Sequence, residues 1–582
     1  MRLAEDGVYD KNREDPGNMK PSARSIIEPL ESRIAPAVFI VTTTMDITNN
    51  TNTTGSLRDA LALADHHGGF NDIVFHLPAP PAHGENVITL NGTALSTLGN
   101  VDIIGPGAGK LIINGGGMSQ VLNISGATGT TVISGLSVVN GTSAIEGGGI
   151  DCTESLVLNG VVISGNMATN GGGLEASNVG SVTITNCMIA DNTASAYSGG
   201  MDLIGVKSLT ISHSVISGNV AGTNSGGGFD ASISSTGGSM VIAGCQITGN
   251  TAAYGGGMIV ENANGSTRTN ILITGSTISG NTSTNAGAKG GGGVYISAGN
   301  ALITGSAIRN NVAYDNGGGI EGKGFRALTI VASSITGNQT SNSGGAGIGG
   351  AGVFVVGSSI LATVNISGSQ IADNHTASYG GGVFSYDGVK LTVSGSTFSG
   401  NGALFGGGGL ESNAGLAPAD LVVSHSLFSG NSAVTHGGGI DASSGFGTIS
   451  IIASRVTGNV AKTGGGLVLA SKEAATVTGS LVAGNSATSG TGGGIQIGNT
   501  PNFEVSSSAI VGNNVAGSGG GIYAYNSTGS INSVTLSGNS ATVAAGGAFN
   551  GGAMAGTIAL IHPDTVGNTA PSFPDLDGTF SG

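Results

Sequence analysis

Acidic side chains recur two residues after a cluster of glycines in four successive segments of the chain. They are Asp151, Glu175, Asp202 and Asp230. If these segments stack as layers of a sheet, neighbouring carboxylates point outward about 4.8 Å apart, and each pair repels by roughly 0.8 kcal/mol in water. A Ca²⁺ ion would relieve that repulsion because it takes oxygen ligands. The alternative is a solvated acidic face that binds no metal.

Aromatic side chains form a second candidate binding set close to the same glycine clusters. They are Tyr197, Tyr254, Tyr314 and Tyr379. Aromatic rings on variable loops can stack on sugars or bury into a protein partner, whereas the alternative is that each ring covers only its own glycine turn. We therefore predict a glycan or a surface protein as the partner, of unknown identity.

Polysaccharide hydrolysis or elimination is the alternative function. A hydrolase needs paired carboxylates that flank the scissile bond, and acidic residues are plentiful here. A lyase needs a nearby base and a metal that acidifies the sugar proton, yet Lys207 is the only Lys or Arg between residues 141 and 260. His436 precedes Gly437 but lacks the preceding glycine of a Gly-His-Gly motif. We therefore assign no catalytic residue and predict a protein that is not an enzyme.

The secondary structure that positions these side chains is indicated by a recurring asparagine. It occurs every 26 to 36 residues, usually as hydrophobic-x-Gly-Asn. Its positions are Asn166, Asn192, Asn219, Asn250, Asn281, Asn311, Asn338, Asn374, Asn401, Asn431, Asn459, Asn485, Asn513, Asn539 and Asn568. Self-similarity at such a period indicates a solenoid or a propeller. Propeller blades need about 40–50 residues, so a solenoid fits better.

Apolar and polar residues alternate within each segment, as in Leu391-Thr-Val-Ser-Gly-Ser-Thr-Phe398. This period of two is typical of strands with one buried face. Three short strands per segment, stacked layer on layer, predict an all-β fold, a single-stranded parallel β-helix. Asparagine tolerates left-handed backbone at a turn, and stacked amides can hydrogen-bond to one another. We therefore predict an asparagine ladder along the β-helix.

The repeats resemble those of polymorphic outer-membrane proteins, which carry an FxxN motif and a GGA[ILV] motif. Phe398-Ser-Gly-Asn401 and Phe428-Ser-Gly-Asn431 match the first motif, and Gly147-Gly-Gly-Ile150 is similar to the second. The resemblance implies a right-handed, pectate-lyase-like β-helix, an adhesin-like role and a location outside the cell or at a bacterial surface or outer membrane. The barrel that follows such repeats in autotransporters is not found in this sequence.

Two N-terminal segments resemble motifs of other surface proteins. Residues 27–37 are similar to the LEPR-XLL motif that precedes large extracellular repeat proteins. Gly55-Ser-Leu-Arg-Asp-Ala-Leu-Ala-Leu-Ala-Asp65 resembles a CSLREA-type segment without its Cys, which implies a helix that caps the open end of the β-helix. Ser56 suits the N-cap of that helix, with Leu57, Leu61 and Ala64 on one face.

The chain therefore divides into four predicted parts. Residues 1–37 are a charged targeting segment predicted to be disordered, and residues 38–140 hold the cap, with its helix at about 56–65, and the first coils. Residues 141–569 are the β-helix repeats, and residues 570–582 are a tail. The sequence of this tail resembles a segment after which similar proteins continue, which would make the chain a truncated member.

Composition narrows the function further. The net charge is −15 and residues 1–35 hold 13 of the 51 charged residues, so no basic patch is available to bind nucleic acid. No run of 18 apolar residues occurs, so we expect no transmembrane helix. Cys152, Cys187 and Cys245 are interpreted as small buried side chains, because the last two would lie two layers apart, too far for a disulfide. The oligomeric state, export route and anchoring are left open.

Overall fold

A computed structural model describes most of the chain from residue 36 onward. The described ranges are 36–47, 55–67, 69–80, 84–126, 128–234, 237–262, 269–285, 290–297, 299–342, 349–357, 361–413, 415, 420–443, 447–550, 558–573, 575–577 and 580–581. Two units emerge from the packing, Met1–Pro36 and Ala37–Gly582. The predicted targeting segment, including the LEPR-XLL-like stretch, lies almost entirely outside the described residues.

The second unit is a right-handed parallel β-helix, as the repeat predicts. One coil shows the path: Val389–Ser394 leads to Thr397–Ser399, then Gly402–Ala403, then Leu410–Asn413. Each of these strands pairs in parallel with its counterpart one coil away. The prediction of three strands per coil is incomplete, because a fourth, very short strand follows the repeat asparagine.

Four parallel sheets therefore run along the β-helix, here called the first to fourth sheets in the order in which a coil visits them. The strands of the first sheet are Val38–Val41, Asn71–Phe75, Val101–Ile104, Thr130–Ser134, Ser155–Asn159, Ser181–Thr185, Ser208–Ser212, Ser239–Ala243, Asn270–Thr274, Asn300–Thr304, Ala327–Val331, Ala362–Ser367, Val389–Ser394, Leu421–Ser424, Thr448–Ile452, Ala474–Thr478, Phe503–Ser506, Gly529–Asn532, Ile558–Ile561 and Phe580–Ser581. The strands of the second sheet are Asn86–Thr89, Leu111–Asn114, Ser137–Val139, Val162–Ser164, Met188–Ala190, Val215–Ser217, Gln246–Thr248, Thr277–Ser279, Ala307–Arg309, Ser334–Thr336, Gln370–Ala372, Thr397–Ser399, Leu427–Ser429, Arg455–Thr457, Leu481–Ala483, Ala509–Val511, Thr535–Ser537 and Asp564–Val566.

The third sheet is built from the short strands after the asparagine, and the fourth from the strands after the glycines. The strands of the third sheet are Met167–Asn170, Thr193–Tyr197, Val220–Ala221, Thr251–Ala252, Thr282–Ser283, Val312–Ala313, Gln339–Thr340, His375–Thr376, Gly402–Ala403, Ser432–Ala433, Val460–Ala461, Ser486–Ala487, Asn514–Val515 and Ser540–Ala541. The strands of the fourth sheet are Leu95–Thr97, Leu122–Ile124, Ile150–Cys152, Leu174–Ser177, Met201–Val206, Phe229–Ile233, Met258–Asn262, Val294–Ser297, Ile320–Lys323, Val353–Val356, Val383–Tyr386, Leu410–Asn413, Ile440–Ser443, Leu467–Leu469, Ile495–Gly498, Ile522–Tyr525, Ala548–Asn550 and Leu576–Asp577.

The hydrophobic core lies between the first, second and fourth sheets. Alternate residues of these strands, such as Leu391, Phe398 and Leu410, are fully buried and belong to one continuous cluster. The rings of Phe398 and Phe428 stack in neighbouring coils with centroids 4.4 Å apart. The alanines of the third sheet form small clusters separate from this core. The third sheet is therefore an outer layer rather than a core wall.

The repeat asparagines superpose from coil to coil. From Asn166 to Asn539, each side-chain Nδ2 donates to the Oδ1 of the next asparagine at 2.9–3.1 Å. The same Nδ2 also donates to a backbone carbonyl of the preceding coil, as Asn401 does to Ile371 at 2.9 Å. Because these amides are buried, the ladder satisfies polar groups that water cannot reach.

One helix, Leu57–His67, lies at the start of the second unit. The backbone N–H of Asp59 donates to Ser56 Oγ at 3.2 Å, so Ser56 is the N-cap. Leu57 and Leu61 are buried against core residues of the first coils, among them Leu95 and Val121. This is the position of a cap over the end of the core. Within the described residues, no helix combines the length and apolarity needed to cross a membrane.

Candidate functional site

A glycine turn joins the third sheet to the fourth in each repeat coil, and Gly437-Gly438-Gly439 shows why it needs glycine. Gly437 has a positive φ of 58°, a backbone conformation that glycine adopts without a steric clash of a Cβ atom. A methyl group on Gly438 would lie 2.5 Å from the carbonyl oxygens of Val460 and Gly465 in the next coil. A methyl group on Gly439 would lie 2.7 Å from the carbonyl oxygen of Gly466 and 3.1 Å from Nδ2 of the ladder residue Asn459. The turn is thus pressed against both the next coil and the ladder.

Replacing Gly439 with Ala is expected to destabilise the β-helix by about 1–3 kcal/mol, the usual cost of overpacking. The added methyl group must push either the next coil or the ladder asparagine out of place. The measurement is the free energy of unfolding by chemical denaturation. Gly109→Ala is the matched control because a methyl group there would meet no atom within 4 Å. Equal stability of the two variants would contradict this account of the turn.

The four acidic candidate residues lie in one column of the fourth sheet, two residues after the last glycine of each turn. We call this the inner column. Its members pair in register from coil to coil. They are Asp151, Glu175, Asp202, Asp230, Ile259, Tyr295, Glu321, Phe354, Phe384, Glu411 and Asp441. The structure thus brings the four predicted carboxylates together in successive coils.

The alternative hypothesis of a solvated acidic face is wrong for most of this column. Its side chains do point away from the core, but the glycine turn folds the preceding residues back over them. Glu175 is 1% exposed, Asp202 7%, Glu321 1% and Glu411 3%, while Asp151 and Asp230 are half-buried. The residue just before each turn, here called the lid position, contacts the column directly: Ser225 Oγ donates to Asp230 Oδ2 at 2.6 Å.

Burial changes the protonation of these acids. Desolvation, followed by the charges of Asp202 and Glu146, raises the pKa of Glu175 to about 8. Desolvation is also the main cause that raises the pKa of Asp202 to about 6. Glu175 Oε2 is buried with no hydrogen-bond partner, as are Glu321 Oε2 and Glu411 Oε2. For Glu175, Glu321 and Glu411 these features fit neutral carboxylic acids, because a carboxylate ion buried without a partner would be costly.

A second acidic cluster, absent from the candidate residues proposed from sequence, lies further along the inner column. Burial first, and the charge of Asp441 second, raise the pKa of Glu411 well above its ordinary value. His436, at the lid position, has Nδ1 3.4 Å from Asp441 Oδ2, and that interaction raises the pKa of the imidazole. Tyr379 lies nearby, and burial, with the charges of Glu411 and Asp441 in smaller measure, raises the pKa of its phenol. The sequence places Glu411 and Asp441 in this column, two residues after their glycine turns, but nothing in it indicates that His436 and Tyr379 fold back over them.

Raising the pH is expected to destabilise the protein through the inner column. The folded-state pKa of Glu175, about 8, lies above its ordinary value of 4.5, so the folded state holds a proton that the unfolded state has lost. The stabilising effect is complete below about pH 4.5 and is lost as the pH rises through 8. A shift of about 3.5 pKa units at about 1.4 kcal/mol per unit corresponds to an upper bound of about 5 kcal/mol. Because the turn can open locally and let water reach the carboxylate, we expect a loss of about 2 kcal/mol at pH 9.

Glu175→Gln keeps the size of the side chain and cannot ionise. We expect this variant to be more stable than the parent at pH 9 and to lose much less stability between pH 5 and pH 9 in chemical denaturation. Glu504→Gln, on an exposed residue, is the matched control and should leave the pH profile unchanged. A parent profile that rises toward pH 9 would contradict the assignment of a neutral Glu175.

The four tyrosines lie on the outer side of the glycine turns. Tyr197 is 45% exposed and Tyr314 40%, whereas Tyr254 and Tyr379 are half-buried. The ring of Tyr379 lies 5.0 Å from that of Phe405 and 5.8 Å from that of Phe384. Tyr379 therefore covers its turn in part, and Tyr197 and Tyr314 present the larger ring area to solvent.

A second polar ladder, of serine hydroxyls, follows the corner between the first and second sheets. The backbone N–H of Ser396 donates to Ser426 Oγ at 3.2 Å, and Ser396 Oγ donates to the carbonyl of Ser394 at 2.9 Å. Cys187 occupies the same position, where its sulfur accepts from the backbone N–H of Val161. All three cysteines are free and buried, as interpreted from the sequence, and burial raises the pKa of the Cys152 thiol to about 12.

Within the part of the chain that the structure describes, no group of three or more His, Cys, Asp or Glu side chains is arranged to hold a metal ion. Calcium binding at the acidic column stays a prediction.

Comparisons with known proteins add little to this geometry. No protein-family model matches the chain, and no curated protein matches it. A solved structure of a PL6 family alginate lyase, AlyGC, aligns over 94% of this chain and 100% of that chain, with 11% sequence identity and a TM-score of 0.16. A likeness this distant carries no argument about the site. The resemblances to particular repeat and cap families therefore stay predictions.

Proposed function

We propose that the chain is a non-catalytic extracellular or cell-surface protein with a structural or adhesive role. In this proposal, the β-helix is a rigid scaffold that presents side-chain columns and loops to a glycan or protein partner. The single observation that carries the proposal is the enclosure of the inner column. Glu175, Glu321 and Glu411 are the strongest candidates for acid chemistry by their raised pKa values, yet the glycine turns separate them from any polymer outside.

The outer surface supports a binding role. Its regular positions carry hydroxyl and amide groups, such as Thr210 and Asn270 on the first sheet, and only 9% of the whole chain is charged. Exposed tyrosines interrupt this polar surface. Rigid rings among small polar groups are typical of binding surfaces that lose little entropy on association.

The surface location rests on the repeats. Phe398-Ser-Gly-Asn401 and its counterparts resemble motifs of surface-displayed β-helices, and the Phe and Asn of this motif are fully buried. A rod whose coils each contact only their neighbours suits a protein that holds a binding surface away from a cell.

One experiment separates this function from the alternative, a polysaccharide lyase or hydrolase. The purified protein is incubated with a glycan array and with neutral and acidic polysaccharides, and both retention and products are measured. We expect retention without product. Accumulation of unsaturated or new reducing ends would contradict the proposal. In that case, loss of product in Glu411→Gln and Asp441→Asn variants would assign the chemistry to the inner column.

A further inference from the structure

His436 closes its glycine turn with an ionisable side chain. It occupies the lid position, where Gly406 precedes it by one coil and Thr463 follows it by one coil. The imidazole is 54% exposed, yet its Nδ1 lies 3.4 Å from Oδ2 of the Asp441 side chain, which is 4% exposed. The His436 side chain therefore links the enclosed inner column to solvent.

Two carboxyl groups converge beneath the lid at this turn. Glu411 and Asp441 pair in register in neighbouring strands of the fourth sheet. A methyl group on Gly406 would lie 2.6 Å from Glu411 Oε2 and 3.0 Å from Asp441 Oδ2, and Glu411 Oε2 has no hydrogen-bond partner. Because two adjacent buried carboxylates repel each other, the closed turn needs a proton on Glu411 and a positive charge beside Asp441.

The groups that face the imidazole determine when it carries that charge. The hydrogen bond to Asp441 raises the pKa of His436 above its ordinary value of 6.5, whereas burial and the charge of Lys462, in the next coil, act to lower it. Glu411 and Tyr379 face the same place from the two preceding coils, and burial is the main cause that raises their pKa values. The stabilising effect of the ion pair is complete below about pH 6.5 and is lost as the pH rises through the folded-state pKa of His436.

A neutral donor closes the turn at another acid of the inner column. Ser225 Oγ donates to Asp230 Oδ2 at 2.6 Å, and a hydroxyl keeps this hydrogen bond across the pH range in which histidine titrates. His436 differs because the loss of one proton removes its charge. Leu404 and Val434, both exposed, lie two residues before the lid position in their coils, so apolar side chains border the turn that His436 closes.

We propose that His436 is a pH-operated latch on the turn at residues 436–439. In its protonated form it holds the turn closed over Glu411 and Asp441. In its neutral form it releases the turn, water reaches both carboxyl groups, and Glu411 ionises. The surface beside Leu404 and Val434 thereby becomes anionic at alkaline pH, so a partner that contacts this turn meets a different surface on each side of the transition. The latch acts on the protein's own surface and does not depend on the proposed function.

Hydrogen exchange of the full-length protein tests the latch. The amide of Gly407 donates to the carbonyl of His436, and that of Gly437 to the carbonyl of Thr463, both at 3.1 Å, so opening of the turn exposes both amides. Peptides covering residues 405–410 and 435–440 are followed by mass spectrometry at pH 6 and pH 9, and each rate is divided by the intrinsic rate. We expect their protection to fall about tenfold at pH 9, while the turn at residues 518–521 keeps its protection.

Two variants should shift the latch in opposite directions. His436→Gln cannot carry a charge, so its turn should be as weakly protected at pH 6 as the parent's is at pH 9. Asp441→Asn removes the buried negative charge, so its turn should stay protected at pH 9, and the midpoint of the His436 titration by NMR should fall. His375→Gln is the matched control, because His375 is exposed on the third sheet and pairs with Gln339 of the preceding coil. It should follow the parent at both pH values.

The outcomes that would overturn the latch are equally specific. Equal protection of the parent's turn at pH 6 and pH 9, or an unchanged pH dependence in His436→Gln, would show that the imidazole does not hold the turn. Loss of protection in Asp441→Asn at both pH values would show a contact that is only structural. Each of these results would overturn this inference and leave the proposed function standing.

Discussion

Replacing Asn401 with Ala is expected to destabilise the β-helix by about 4–6 kcal/mol. The side chain is fully buried, and its Nδ2 donates to Asn431 Oδ1 and to the carbonyl of Ile371, both at 2.9 Å. Its Oδ1 accepts from the backbone N–H and Nδ2 of Asn374 at 3.1 and 3.0 Å. Alanine removes these bonds and leaves several buried polar groups unpaired, each at a cost of about 1–3 kcal/mol.

The expected loss is a property of the ladder and not of asparagine in general. Asn270 is exposed on the first sheet, and Asn270→Ala should change the free energy of unfolding by less than about 0.5 kcal/mol. Asn401→Asp keeps the acceptor but turns an oxygen toward Asn431 Oδ1 and the Ile371 carbonyl, so it should be no better than alanine. Chemical denaturation with parallel circular dichroism measures all three. A small effect of Asn401→Ala would show that the amide stack contributes little.

Replacing Arg58 with Ala is expected to cost about 3–5 kcal/mol, the usual effect of removing one partner of a buried ion pair. Arg58 lies on the cap helix and forms a two-pronged pair with Asp46, with Nε and an Nη donating to the two carboxylate oxygens at 2.8 Å each. Its other Nη donates to the carbonyl of Ala94. The Asp46 side chain is 1% exposed, so the variant leaves a buried carboxylate without its main partner.

The consequences of that change should be local at first. Loss of the cap uncovers the edges of the first coils, and unpaired strand edges promote association between chains. We therefore expect early hydrogen exchange in residues 57–67 and a rise in aggregation. Lys390→Ala is the control, because Lys390 and Asp420 form an exposed pair 3.7 Å apart and such pairs contribute little. Equal stability of the two variants would contradict the role of the Arg58–Asp46 pair.

The fold was predictable because its signals are periodic. Asparagine at a regular spacing and alternating apolar residues indicate that each segment repeats one backbone path. The N-cap Ser56 and the apolar face of the cap helix are local signals. The strands of the third sheet, such as Gly402–Ala403, were missed because two residues cannot show an alternation. The same gap explains the error at Glu175: without the third sheet, nothing in the sequence indicates what covers the fourth.

Contacts between distant residues explain the remaining omissions. Arg58 and Asp46 lie on different elements, and His436 meets Asp441 only because the glycine turn reverses the chain between them.

The central claim is that each repeat makes one coil and that equivalent residues stack at about 4.8 Å per coil. Spin labels on the outer side of the first sheet test it, with one label at residue 392 and the other at residue 183 or 210. Pairing in register places Thr183 seven coils and Thr210 six coils from Thr392. Pulsed electron paramagnetic resonance should give narrow distributions of the distance between the two labels. They should centre near about 34 Å for the label at residue 183 and about 29 Å for the label at residue 210, the rise of seven and six coils at about 4.8 Å each. Broad distributions, or a difference far from one coil rise, would contradict the stacked β-helix and the inner column and asparagine ladder that depend on it.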